Sequence, residues 1–134
     1  MNPILLNDWK SVEDMYEDFE EDWGISHNHP ITDKDDIEII LASYTNENYE
    51  GEAFVLFRRK SDGKLYEVNG GHCSCYGLEG QWNPEETTVE ALEYRLVSGT
   101  LGKSGWDDDV NRFADELTEA LHGLTESTTL KEAA

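Results

Sequence analysis

This chain is short of positive charge: 10 Lys and Arg stand against 30 Asp and Glu in 134 residues, a formal net charge of −20. A field of that sign repels nucleic acid and anionic membrane, which argues against direct binding to either, and it attracts basic surfaces. Long apolar runs are missing too. No stretch approaches the ~20 apolar residues that a membrane span needs. The opening Met1-Asn-Pro-Ile-Leu-Leu-Asn-Asp8 has no basic n-region and too short an apolar run for a signal peptide, so the expectation is a soluble protein of the cytoplasm. Cysteine is limited to Cys73 and Cys75. One intervening residue suits a stabilising disulfide poorly and closes no long loop, which points to thiols in a reducing compartment. A phosphate-binding glycine motif ahead of a helix, a serine nucleophile elbow and an internal repeat are all absent.

What the chain does have is apolar and aromatic material. Hydrophobic content is 37%, with four Trp, six Tyr and four Phe, enough to bury a core in a chain the size of one domain. Trp9, Val12, Tyr16, Phe19 and Trp23 recur in steps of three and four, one stripe of an amphipathic helix, with Ser11 and Asp14 as a capping box and Gly24 as the stop. Ser26 to Pro30 reads as a loop, because a proline holds the residue before it extended. Ile37 to Thr45 and Ala53 to Phe57 are rich in strand formers, joined by a polar stretch containing Gly51. A third strand, Lys64 to Asn69, follows Asp62-Gly63, which suits a two-residue hairpin turn.

These strands predict a three-stranded antiparallel meander. A glycine-rich loop with Gly70, Gly71, Gly77 and Gly80 comes next, before Thr87-Thr-Val-Glu90 opens a second capped helix that runs to about Val97 and turns Val89, Leu92 and Leu96 inward. A last helix is expected from near Asp107 to Gly123, presenting Trp106, Val110, Phe113, Leu117, Leu121 and Leu124, with His122 at its C-terminal end. The expected fold is α+β, the meander packed with about three helices in a single domain over 1–124, and a flexible tail over 125–134.

The acids are unevenly placed. Residues 1–40 hold 12 acids and 2 bases, whereas 41–106 hold 10 and 6. Glu13, Asp14, Glu17, Asp18, Glu20, Glu21 and Asp22 put seven carboxylates into ten residues of the first helix. Ten helical residues span ~15 Å, a length of duplex DNA that carries roughly nine charges. Those seven residues are therefore the candidate partner-binding face, shaped to enter a groove built for nucleic acid. Acids near a helix N-terminus also favour its dipole and aid solubility, but beyond the first turn they repel one another at i,i+3 and i,i+4. Arg58-Arg59-Lys60 forms a basic island that reads as an edge-strand guard or a source of internal salt bridges.

His72-Cys73-Ser74-Cys75 gathers three metal ligands, His72, Cys73 and Cys75, and His27 or His29 could add a fourth in space, a set zinc would accept. Structural zinc sites usually draw on two separated knuckles, and only one cluster exists; buried small thiols beside a loop histidine are the competing reading. A Cys–His nucleophile pair would also need an orienting acid and an oxyanion hole, and neither is indicated. Glu79 and Trp82 are expected to shape a rigid loop packed over the sheet, whereas an exposed Tyr76 or Trp82 would indicate a recognition surface.

The segment Asp62-Gly-Lys-Leu-Tyr-Glu-Val-Asn-Gly-Gly-His-Cys-Ser-Cys-Tyr-Gly-Leu-Glu-Gly-Gln-Trp82, continuing Asn-Pro-Glu-Glu-Thr-Thr-Val-Glu-Ala-Leu92, resembles a family of small uncharacterised proteins of tailed bacteriophages. The resemblance covers residues 42 to 97 and is densest from His72 to Trp82. It implies a phage origin and a host bacterial cytoplasm, and it transfers no functional residue. The expected function is that of a non-enzymatic, phage-encoded acidic inhibitor of a basic, nucleic-acid-binding host defence protein, acting as a DNA mimic. The alternatives are a metal- or thiol-dependent domain centred on His72, Cys73 and Cys75, and a phage structural or assembly protein.

Overall fold

The computed structural model describes residues 3–7, 9–20, 31–47, 50–72, 81–99, 101 and 113–133. The chain is α+β, with elements in the order β1 (Ile4–Asn7), α1 (Val12–Glu20), a 3-10 turn (Lys34–Asp36), β2 (Ile37–Glu47), β3 (Glu50–Arg59), β4 (Leu65–His72), β5 (Glu85–Thr87), α2 (Val89–Ser98) and α3 (Ala114–Ala133). It divides into two compact units, residues 1–86 and 87–134.

The sheet runs β1-β2-β3-β4-β5. Its centre is the expected antiparallel meander, β2 against β3 and β3 against β4. The sheet is nevertheless five-stranded and mixed, because β1 adds parallel to β2, with Ile4 opposite Leu41 and Asn7 opposite Tyr44, and β5 adds beyond β4. Parallel neighbours need a crossover, and here it contains α1. Asn7 leaves β1 with φ 63°, a left-handed conformation that asparagine tolerates, while its Nδ2 donates to the buried Ser43 Oγ at 2.8 Å.

Both hairpins differ from expectation. Gly51 is part of β3, opposite Asn46, so only 48–49 separate β2 from β3. The β3–β4 turn is longer than two residues: Gly63 N–H donates to Arg59 O at 2.7 Å, and Arg59 N–H donates to Lys64 O at 3.0 Å. Gly63 supplies the positive φ, 71°, that this closure requires. Asp36 holds the turn from outside, its carboxylate accepting from Ser61 N–H at 2.8 Å and Ser61 Oγ at 2.7 Å.

A bulge between Ile39 and Leu41 shifts the strand alternation. Ile37 and Ile39 before it and Ala42 and Tyr44 after it consequently share one face with Ala53, Val55, Phe57 and Val68. The α1 residues Met15, Tyr16 and Phe19 pack on that face with Trp9 and Ile31. Trp9, Phe19 and Phe57 are fully buried, each contributing about 1.5–3 kcal/mol or more through removal of apolar surface from water. The opposite face of the sheet is apolar as well, with Phe54 and Leu56 in β3 and Leu65 in β4.

Helix ends follow their side-chain chemistry. Ser11 Oγ accepts from Asp14 N–H at 3.1 Å, the N-cap expected for α1. The cap of α2 is Thr88 rather than Thr87: its Oγ1 accepts from Ala91 N–H at 3.1 Å, while Thr87 completes β5. Gly99 ends α2 in extended geometry, its N–H donating to Arg95 O at 3.1 Å. In the second unit α3 lies against α2 and buries Ala114, Leu117, Ala120, Leu121 and Leu124, a stripe at helical spacing. The helix starts at Ala114, passes Gly123 and continues to Ala133, through the stretch expected as a tail. His122 is therefore inside the helix rather than at its end. No helix among the described residues is long and apolar enough to cross a membrane.

Candidate functional site

Five of the seven acidic residues picked out by sequence lie on α1 as described; Glu21 and Asp22 fall outside the described residues. The five do different things. Asp18 Oδ2 accepts the indole N–H of Trp9 at 2.7 Å, satisfying a donor on a side chain that is 2% exposed. Glu20 accepts from Ile31 N–H at 3.0 Å and from Lys34 Nζ at 2.7 Å, pinning the chain that returns from α1 towards β2. Partial desolvation pushes the Glu20 carboxyl up, but the bonds from Lys34 and Ile31 and the Lys34 charge together hold it below its ordinary range.

Glu13, Asp14 and Glu17 are exposed, and among the described residues their carboxylates have no ion-pair or hydrogen-bond partner. Positions i, i+1 and i+4 place the three on one side of α1. Nine residues of helix span ~13.5 Å, a length of duplex that carries roughly eight charges. Within the described helix, three uncommitted carboxylates fall short of that density. The resemblance to duplex read from sequence is therefore weaker on this element than the bare count suggests.

Three of the six bases of the first unit, Lys34, Arg59 and Lys64, pair with acids there. Arg59 Nη1 pairs with Asp33 Oδ2 at 2.6 Å and approaches Asp36 Oδ2 at 3.8 Å, and its guanidinium stacks 4.8 Å from the Tyr66 ring centre. Tyr66 in turn donates its hydroxyl to Asp62 Oδ2 at 2.6 Å. Lys34 sits 4.8 Å over the Tyr16 ring besides pairing with Glu20, and Lys64 pairs with Glu86 at 3.3 Å. Of the basic island, Arg59 supplies the internal salt bridges. It does not guard an edge, since β3 is the central strand. Arg58 Nε is buried and has no hydrogen-bond partner among the described residues.

Trp82 is half-buried and belongs to the core: it stacks on Phe57 at 5.6 Å and meets Phe19 and Tyr16 edge-on at 5.1 and 5.8 Å. Gln81 beside it pairs with the Gly71 backbone in both directions, Oε1 accepting from N–H at 2.9 Å and Nε2 donating to C=O at 2.8 Å. Trp82 itself is thus packed over the sheet rather than held out as a recognition surface, while the loop 73–80 that precedes Gln81 lies outside the described residues. Burial, then the charges of Asp33 and Glu20, push the Tyr16 phenol up to about 12.

His72 is the last residue of β4, and Cys73, Cys75, Tyr76 and Glu79, with His27 and His29, lie outside the described residues. Among the described residues no group of three or more His, Cys, Asp or Glu is arranged to hold a metal ion. Sequence reasoning missed two features. Asp33 and Asp36 organise the Arg59 cluster, which needed knowledge of the β2–β3 register, and α2 exposes Tyr94 and Val97.

No protein-family model, no curated protein and no solved structure matches this chain.

Proposed function

We propose that this protein is a non-enzymatic, phage-encoded acidic inhibitor that engages a basic, nucleic-acid-binding host protein and competes there as a DNA mimic. The observation that carries the reading is the division of labour among the α1 acids. Asp18 and Glu20 serve the fold, whereas Glu13, Asp14 and Glu17 stand in water on one side of the helix with no counter-charge among the described residues. Lys34, Arg59 and Lys64 are engaged by other acids and so are not counter-charges for these three, and the net −20 remains after all ten Lys and Arg are counted. Uncompensated like charges are unfavourable for the isolated protein, but they accelerate encounter with a basic surface in a salt-dependent manner. The phage origin and the bacterial cytoplasm as the site of action rest on the resemblance over residues 42 to 97.

The test is affinity capture by the tagged protein from a bacterial lysate at low and high salt, with mass spectrometry of the eluates. A basic nucleic-acid-binding protein retained at low salt and released at high salt is expected. Absence of any partner at either salt overturns the reading.

A further inference from the structure

The solvent faces of the helices differ. On α1 the exposed positions are Glu13, Asp14, Glu17 and Asp18, and on α3 up to Leu124 they are Asp115, Thr118, Glu119 and His122, all polar. On α2, Tyr94 is 70% and Val97 87% exposed, and these are the large apolar side chains left in water among the described residues. They do not serve the inward face of the helix, which uses Leu92, fully buried, and the half-buried Val89 and Leu96. Helix propensity does not account for them either, since Tyr and Val are poorer helix formers than the Glu, Gln or Lys usual at such positions. With Glu90 and Glu93 they complete an outward stripe at i, i+3, i+4 and i+7. Two apolar side chains flanked by two acids on a rigid helix have the composition of a small interface core with a charged rim.

We infer that the Glu90, Glu93, Tyr94 and Val97 face of α2 is a docking surface for a protein partner that presents an apolar pocket rimmed by Lys or Arg. The sign of the partner's charge follows from the stripe itself and rests on the acidic-inhibitor reading. A second copy of this chain is the poorer occupant, because it would bring −20 against −20 and Glu90 and Glu93 against like residues. Tyr94 is the anchor, as large, rigid and amphipathic side chains tend to dominate binding energy, and the two glutamates select and orient the basic partner.

The test uses two dye-labelled probes of equal charge, an amphipathic Leu/Lys helical peptide and an oligolysine, titrated against the full chain and its Tyr94→Gln, Val97→Gln double variant. Glutamine keeps the helix, and circular dichroism checks the fold. The expected result is at least tenfold tighter binding of the Leu/Lys peptide than of oligolysine by the parent chain, with the double variant falling to the oligolysine level and its oligolysine affinity unchanged. A double variant that binds the Leu/Lys peptide as well as the parent overturns the docking surface, while retained oligolysine binding would leave the acidic reading standing. Parent chain that binds neither probe overturns both. Sedimentation showing a parent dimer that the double variant loses overturns the choice of partner, because the occupant is then a second copy.

Discussion

Asp18 accepts the indole N–H of Trp9 at 2.7 Å, which joins a solvent-facing carboxylate of α1 to a core side chain just ahead of the helix. An acid that composition alone would assign to a partner is thereby part of the fold. Replacing it leaves a buried donor unpaired, so Asp18→Ala is expected to cost about 1–3 kcal/mol in urea unfolding. Asp18→Asn, which keeps an acceptor oxygen, should cost less. Equal stability of Asp18→Ala and the parent would show that the bond contributes nothing.

Glu20 gives a pH signature. Its folded pKa lies below the ordinary value, so its contribution is present above the unfolded pKa and is lost as pH falls through the folded one. Glu20→Gln should therefore be less stable than the parent at pH 7 by about 1 kcal/mol, and the two unfolding curves should converge in strong acid. A constant gap across pH would remove the charge from the explanation.

Tyr16 gives the opposite limb. The unfolded phenol ionises near its ordinary value of 10.0, whereas the folded one does so at about 12, so stability falls as pH rises through that interval by about 3 kcal/mol. Ultraviolet titration of the folded protein should contain a phenol ionising near 12 that disappears in Tyr16→Phe. An unchanged titration curve in the variant would contradict the assignment.

Gly123 sits inside α3, and a methyl group added there meets no atom within 4 Å. Gly123→Ala should stabilise the second unit by about 0.5–1 kcal/mol through backbone entropy. Urea unfolding followed by helix ellipticity checks this, and a destabilised variant would argue against a helix continuous through that position.

How much of this was legible in the sequence depended on how local each signal was. The apolar stripe Trp9, Tyr16 and Phe19, the Ser11 cap and the runs of β2 and β3 are local patterns, and they marked α1 and the meander correctly. Ile4-Leu5-Leu6 was too short to show alternation, and β1 becomes a strand only because β2, more than 30 residues away, offers it an edge at Leu41 to Tyr44. Glu85–Thr87 was hidden in the same way, behind a proline and an apparent cap. The bulge at Ile39/Leu41 scrambled the alternation in β2. Gly123 misled because a glycine at the edge of an apolar stripe usually stops a helix. The acidic set was visible by count, but its division into Asp18 and Glu20 for the fold and Glu13, Asp14 and Glu17 for solvent depended on where Trp9, Ile31 and Lys34 come to lie.

The central claim is that the uncommitted α1 carboxylates recruit a basic partner, and the most direct measurement repeats lysate capture at low salt with Glu13→Lys, Asp14→Lys, Glu17→Lys beside the parent chain. These substitutions spare Asp18 and Glu20, so circular dichroism and unfolding should show a folded protein. The account predicts that a basic nucleic-acid-binding protein held by the parent is reduced at least tenfold or lost with the triple variant. Capture of the same partner in the same yield by both proteins would contradict it.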